Sequence, residues 1–234
     1  MPESAPESAP EPAPERPPTG RSIVSAEGLP AWLRPLAAAA GNIRARDLSR
    51  FTPPRDRELR QSAVLVLFGE GPEGADVLLI ERAATLRDHA GQPAFPGGAA
   101  DPGDGDPVGT ALREAAEETG LDRSGVQAFA VLPALWLPVS DFAVVPVLAW
   151  WRRSSAVDAV DAAEVAAVLR APLTKLADPA ARGSVRHPSG FTGPGFEIEG
   201  LLVWGFTAAL LDRLLELGGW SKPWDSARHI ALPG

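Results

Sequence analysis

The 234-residue chain reads as an α+β protein, an α/β/α sandwich built on a mixed β-sheet. Three observations predict that class. Two apolar, β-branched runs, residues 62–70 and 75–83, are joined by Gly-Pro-Glu-Gly in the manner of a hairpin. A helical run, Thr110 to Thr119, stops at Gly120, where a C-cap glycine belongs. Strand-like runs follow at 126–135 and 142–151. Strands thus flank the helix without steady strand–helix alternation, which argues against a doubly wound parallel sheet. Hydrophobic residues make up 45% of the chain, enough for a sizeable core. At roughly 100–200 residues per domain, the length allows one full domain with extensions.

In chain order, residues 1–20 repeat Pro, Glu, Ser and Ala without an apolar period. Nothing there offsets ordering entropy, so a disordered tail is expected. Residues 21–60 read as a helical and basic extension. Leu29 to Ala40 predicts a short helix, kinked or interrupted at Pro35. Arg44, Arg46, Arg50, Arg55, Arg57 and Arg60 follow, interspersed with Asp47, Asp56 and Glu58. They read as a solvated connector or, more sharply, as a basic rim for an anionic substrate. The main domain is placed at 61–220. Within it Pro146 interrupts the run 142–151 and predicts an edge or bulge. Residues 162–173 read as a short helix and turn, and 183–200 as a loop or loose hairpin. Residues 201–218 run into a final helix with Leu210, Leu211, Leu214, Leu215 and Leu217 on a broad apolar face. Core packing is the default for that face, and a homodimer contact the alternative. Residues 221–234 are set apart as a C-terminal tail.

Composition removes several function classes. With 22 Lys+Arg against 30 Asp+Glu, the net charge is −8. Sequence-independent nucleic-acid binding needs a surplus of cations to neutralise phosphates. The absence of cysteine excludes disulfides, thiolate metal sites, iron–sulfur clusters and Cys nucleophiles. No apolar run approaches the roughly 20 residues that span a bilayer. The N-terminus lacks the basic and apolar segments of a secretory signal. The expected setting is cytoplasmic, with neither nucleic acid nor membrane as partner.

The residues that carry chemistry are Arg113, Glu114, Glu117 and Glu118. On a helix the three glutamates stand at i, i+3 and i+4 and share a face. Such a triplet is usually a solvated surface. Two features favour a metal site here: Arg113 adjoins the carboxylates and can brace one bidentately, and a glycine-rich loop feeds the helix, letting backbone approach a ligand. With no Cys and only His89, His187 and His229, a carboxylate site for Mg²⁺ or Mn²⁺ is the natural chemistry.

The run from Gly98 through Asp104, Arg113-Glu114-Ala115-Ala116-Glu117-Glu118-Thr119-Gly120-Leu121 resembles the Nudix box, G-x5-E-x7-R-E-U-x-E-E-x-G-U, with U apolar. The second half matches fully. In the first half Asp104 stands for Glu, and the spacer to Arg113 is one residue longer. A second motif, L-L-T-x-R-[SA]-x3-R-x3-G-x3-F-P-G-G, marks the coenzyme A pyrophosphatase branch. It is matched by Leu78, Leu79, Arg82, Ala83, Arg87, Gly91, Phe95, Pro96, Gly97 and Gly98, with Ile80 in place of Thr. The resemblance spans residues 60 to 217.

The resemblance implies a Nudix fold with a catalytic loop–helix–loop. It also implies hydrolysis of the diphosphate of coenzyme A or its thioesters to 3′,5′-ADP and 4′-phosphopantetheine. Glu114 and Glu118 are the leading metal ligands, with Glu117 a further ligand or base. Arg113 is expected to orient carboxylates. Gly97 and Gly98 line the site through their backbone or serve only as a turn. Arg82 and Arg87 are candidates for the phosphates. Glu164, from a distant segment, is a candidate general base or else a helix-start carboxylate. His89 and Gln92 read as structural. Trp136, Phe142, Trp150 and Trp151 are candidates to stack adenine or simply core. The alternatives are a Nudix enzyme for ADP-ribose, a dinucleotide or a nucleoside triphosphate, and a silent nucleotide-sensing Nudix module.

Overall fold

The structure is a computed structural model that describes residues 20–23, 26–51, 58–86, 89–138, 140–187 and 190–232. The N-terminal extension holds a short strand β1 (Arg21–Ser22), a helix α1 (Arg34–Ala40) and a single turn α2 (Ala45–Leu48). Pro35 lies in the first turn of α1, where its missing N–H breaks no bond. The segment before it, Ala31–Leu33, is 3-10, so the expected interruption is a change of helix type. The tail expected over 1–20 lies outside the described residues except Gly20, whose N–H donates to Ile43 O at 2.7 Å.

Two long strands, β2 (Arg60–Gly71) and β3 (Gly74–Arg82), form the expected hairpin, with Gly71 opposite Gly74. The short strands β4 (Pro93–Ala94) and β5 (Gly97–Ala99) and the helix α3 (Pro107–Thr119) follow. Next come β6 (Val126–Val131), β7 (Leu135–Leu137), β8 (Phe142–Trp151), β9 (Val165–Pro172) and the turn α4 (Leu173–Leu176). The nine-stranded sheet runs β1-β6-β8-β2-β3-β4, with β5 on β2, β7 on β8 and β9 on β3. Strand β2 lies parallel to β8, and the other pairs are antiparallel, so the sheet is mixed as expected.

Both faces of this sheet are covered, and period-two alternation sorts the side chains. Leu65 and Leu67 of β2, Leu78 of β3 and Val147, Ala149 and Trp151 of β8 pack with Ala111 and Ala115 of α3. Val66, Phe68, Val77, Leu79 and Leu148 point the other way. They share a core with Leu36 of α1 and with Leu210, Leu211, Leu214 and Leu215 of the final helix, α5 (Gly205–Leu217). The apolar face of α5 is thus occupied by the molecule's own core.

Two expectations need correction. Residues 162–173 are a turn followed by β9, not a helix. Alanine-rich composition favours helix locally, but pairing from Asp76↔Pro172 to Arg82↔Val165 uses the backbone of this segment in the sheet. Pro146 is in a central strand, not at an edge, and it faces a pairing irregularity in which residues 132–134 stand opposite 145 and 146. It pairs with Val64 on one side. On the other side β6 ends at Val131↔Val147 and β7 begins at Leu135↔Val144. The Pro146 carbonyl accepts from Leu132 N at 2.9 Å in this gap. Its nitrogen faces the same gap, where no ladder bond is lost. The hairpin expected as one reading of residues 183–200 is present, paired antiparallel from Arg182↔Phe196 to Arg186↔Thr192, and it belongs to a second, four-stranded sheet. Its strands are β10 (Arg182–Arg186), β11 (Thr192–Ile198), β12 (Leu201–Val203) and β13 (His229–Ile230), in the order β12-β11-β10-β13.

Residues 221–232, set apart as a C-terminal tail, lie against this sheet. Arg182 is fully buried between the Phe196 and Trp224 rings and ion-paired with Asp212 of α5. Arg228 donates to Arg182 O at 2.7 Å. Among the described residues no helix is long and apolar enough to cross a membrane.

Candidate active site

Helix α3 is sharply bounded. The Asp106 side chain accepts from Gly109 N at 2.9 Å, Pro107 sits in the first turn, and Gly120 closes the helix at φ 69°. These caps satisfy end groups that would otherwise be orphaned. Ala111 and Ala115 bury one side of the helix against the sheet. The turn that carries Glu114 and Glu118 faces β5 and the end of β3.

Glu118 is the centre of the arrangement. It is 7% exposed, and its Oε2 accepts from Gly97 N–H at 2.9 Å. Burial pushes its carboxyl up to about 7. The Gly97 hydrogen bond opposes this, the nearby charges of Glu114 and Glu164 add to it, and Arg82 counters it. Residues from β3, β5, α3 itself and the turn before β9 therefore act on one carboxylate. Glu114, one turn earlier, is also pushed up by burial, against the Arg113 hydrogen bond.

The glycines are there for space. A Cβ on Gly98 would sit 2.5 Å from the Glu114 carboxyl carbon, and one on Gly97 would sit 2.3 Å from Ala63 O. Pairing of β5 with β2, Ala63↔Gly98 and Val64↔Gly97, brings this loop backbone against the helix.

Arg113 is saturated by the protein. Its Nε and Nη2 form a fork on Asp104, at 2.7 and 3.1 Å. Nη1 donates to Glu117 at 2.9 Å, and Nη2 also reaches Glu114 Oε1 and Ala99 O, both at 3.0 Å. The Arg113 hydrogen bond holds the Asp104 carboxyl well below the usual carboxylate range. Glu117 itself is exposed and turned to Arg113. Sequence reasoning noted Asp104 only as a departure from a motif. The signal was there, an acid on the glycine-rich loop ahead of the helix, but its partner is nine positions away.

Arg82 is anchored by two backbone bonds, Arg82 N to Gln92 O at 3.1 Å and Gly91 N to Arg82 O at 3.0 Å. Its buried Nε has no hydrogen-bond partner. Glu164 is exposed in the turn before β9, so no helix dipole favours it. Its carbonyl accepts from Ala83 N at 2.9 Å, beside Arg82. Val160 N and Asp158 N bond Glu118 O and Thr119 O, at 3.2 and 3.1 Å, tying the segment ahead of Glu164 to the end of α3. Arg87 lies outside the described residues. His89, at φ 59°, has Nδ1 3.0 Å from Gln92 Oε1. Of the aromatic candidates, Trp151 is buried in the core under α3 and Trp150 packs on Trp32. Trp136 donates to Asp141, and Phe142 lies under Arg60.

Among the described residues, no group of three or more His, Asp or Glu side chains is placed to hold a metal ion. The donor set still fits a hard divalent cation. Glu114 and Glu118 are partly or fully buried like charges one helical turn apart, and backbone approaches within contact of both. Mg²⁺ needs no all-protein cage. It is commonly held by one or two carboxylates, waters and substrate phosphate oxygens.

The NUDIX domain family model matches residues 58–182. A relative named "uncharacterized Nudix hydrolase NudL", from Cronobacter sakazakii, is 39% identical over 167 residues, covering 68% of this chain and 83% of the relative. One of the same name from Salmonella paratyphi B is 36% identical over 173 residues, with the same coverage. The crystal structure of the Nudix hydrolase RenU from M. smegmatis aligns at 20% identity with a TM-score of 0.48, over 71% of this chain and 89% of that one. The chain belongs to the Nudix hydrolase family and is an enzyme of that family, whose members generally use divalent metal ions.

Proposed function

We propose that the protein hydrolyses the diphosphate of coenzyme A or its thioesters, with Mg²⁺ or Mn²⁺ held by Glu114 and Glu118. The carrying observation is the convergence on Glu118. Arg82 and Gly97, which act on it, come from the very segment, residues 78–98, that resembles the coenzyme A pyrophosphatase motif. A bound cation would supply charge neutralisation for the diphosphate and acidity for the attacking water.

The remaining work falls to side chains. The water oxygen forms a new P–O bond as the anhydride P–O bond breaks, giving 3′,5′-ADP and 4′-phosphopantetheine. Glu164 takes the water's proton in this reading, because Glu117 is engaged by Arg113. Arg82, whose charge acts on Glu118, donates to the diphosphate. Arg87, from the same motif, is assigned to the extra 3′-phosphate. Gly97 and Gly98 let the substrate's phosphates approach backbone, and Arg113 holds the carboxylates in place.

The test is a panel of coenzyme A, dephospho-coenzyme A, ADP-ribose and nucleoside triphosphates with Mg²⁺, read as kcat/KM with product masses. Coenzyme A should lead, and Arg87→Ala should cost it more than dephospho-coenzyme A. Rapid cleavage of ADP-ribose with coenzyme A untouched would reject the substrate assignment and leave the family standing.

A further inference from the structure

Of the aromatic residues that the sequence offered for adenine, Trp151 is buried and Trp150 packs on Trp32. A different aromatic group stands on the second sheet. Where Val185 of β10 pairs with Gly193 of β11, a small apolar cleft is lined by Val185, His187, Phe191, Gly193, Pro194 and Trp204. Much of its wall is ring. His187 and Trp204 lie with centroids 5.5 Å apart and planes 32° from parallel. The Phe191 ring lies against its own strand, since a Cβ on Gly193 would sit 3.0 Å from two of its carbons. The guanidinium carbon of Arg50 is 3.8 Å from the centre of the same ring. Phe51, beside it, is 41% exposed and stands edge-on to Phe191 at 6.3 Å. Gly205, also in the lining, takes φ +64°, and nothing lies within 4 Å of where its Cβ would be.

The fold carries this cleft to the active site. Trp204 directly follows β12, and β12 comes within 8 Å of β4, Cα to Cα. Ala94, the last residue of β4, precedes Gly97 by three residues, at most about 11 Å of chain. Gly97 N–H is the donor to Glu118. We infer that the cleft seats the planar base of the substrate, stacked among Trp204, His187 and Phe191, while the anhydride lies at Glu114 and Glu118. The inference rests on the reading of the substrate as an adenine-bearing diphosphate and adds where its base goes. Ring faces suit a flat heteroaromatic better than a flexible aliphatic arm, because a base stacks over its whole face and has no rotamers to lose. Gly193 and Gly205 put no side chain between the rings and the ligand. Arg50, flat on Phe191, is a cation whose plane adds to the same stack.

The experiment uses the full chain in EDTA and two probes that divide coenzyme A between them: 5′-AMP, which carries the base, and 4′-phosphopantetheine, which carries the arm. Calorimetric titration should show AMP binding to the wild type. Phe191→Ala and Trp204→Leu should each weaken it about fivefold or more, the loss of one stacked ring, and leave 4′-phosphopantetheine within about twofold. Phe191→Trp restores a ring and should restore AMP affinity. Melting temperatures show that each variant is folded. If Trp204→Leu, at the start of α5, does not fold, the two Phe191 variants carry the test alone. Unchanged AMP affinity in folded Phe191→Ala, a loss confined to 4′-phosphopantetheine, or no detectable AMP binding to the wild type would each overturn the seat. Coenzyme A and ADP-ribose share the base of AMP. The titration therefore judges the cleft whichever of them is cleaved, and the turnover panel judges the substrate separately.

Discussion

Replacing Glu118 by Gln should make the metal-free protein more stable above neutral pH while abolishing its metal response. In the fold the Glu118 carboxyl is pushed from 4.5 to about 7 by burial. Between those values the folded protein holds a proton that the unfolded chain has released. Stability therefore falls as pH rises through this window, and the loss is complete above about pH 7. The interval corresponds to about 3 kcal/mol. Gln keeps the shape and an oxygen that can accept from Gly97 N–H, but it carries no charge to desolvate. In a chain of this size, the variant should melt roughly 6–12 °C above wild type at pH 8 in EDTA, and the two should converge near pH 5. Mg²⁺ at 1,000 times its Kd reverses the order, because it adds about 4.1 kcal/mol to the form that binds it. The assay is differential scanning calorimetry from pH 5 to 8, with EDTA or Mg²⁺. A wild-type melting temperature independent of pH, together with a variant that melts lower at pH 8 in EDTA, would refute the reasoning.

Other outcomes follow from the same geometry. Glu114→Gln and Glu118→Gln should each lower turnover by well over tenfold at saturating Mg²⁺, measured by product release. Gly98→Ala should lower turnover at least tenfold, because its Cβ meets the Glu114 carboxyl group at 2.5 Å; steady-state kinetics checks this. Asp212→Asn should destabilise the fold by about 3–5 kcal/mol, since it strips the counter-ion from the fully buried Arg182. Chemical denaturation would show it, with turnover at low denaturant preserved.

What could be read from the sequence was what is local. The β2–β3 hairpin and the end of α3 carry their own signals, β-branched apolar runs, turn glycines and a C-cap glycine, whereas the start of the helix at Pro107, capped by Asp106, lies ahead of the Thr110 that the sequence suggests. The Glu114–Glu118 face follows from helical spacing alone. What stayed hidden depends on pairing across the chain. Residues 165–172 are locally helix-like and become a strand only because β3 offers an edge. The strands β10 to β12 are short and diluted by Gly and Pro, and they are held by Arg182, whose partners Asp212 and Trp224 lie 30 and 42 positions away. The Pro146 anomaly resolves only once the gap between β6 and β7 is seen. Likewise the fork of Asp104 on Arg113 needs the turn at Gly105 before it can be drawn.

The most direct test of the account is the position of Mn²⁺ in a crystal of the wild-type protein, located by anomalous diffraction. The account predicts a peak within about 2.0–2.6 Å of carboxylate oxygens from both Glu114 and Glu118, beside the Gly97–Gly98 backbone and lost in Glu118→Gln. Mn²⁺ bound elsewhere, with those two carboxylates unliganded, would contradict it.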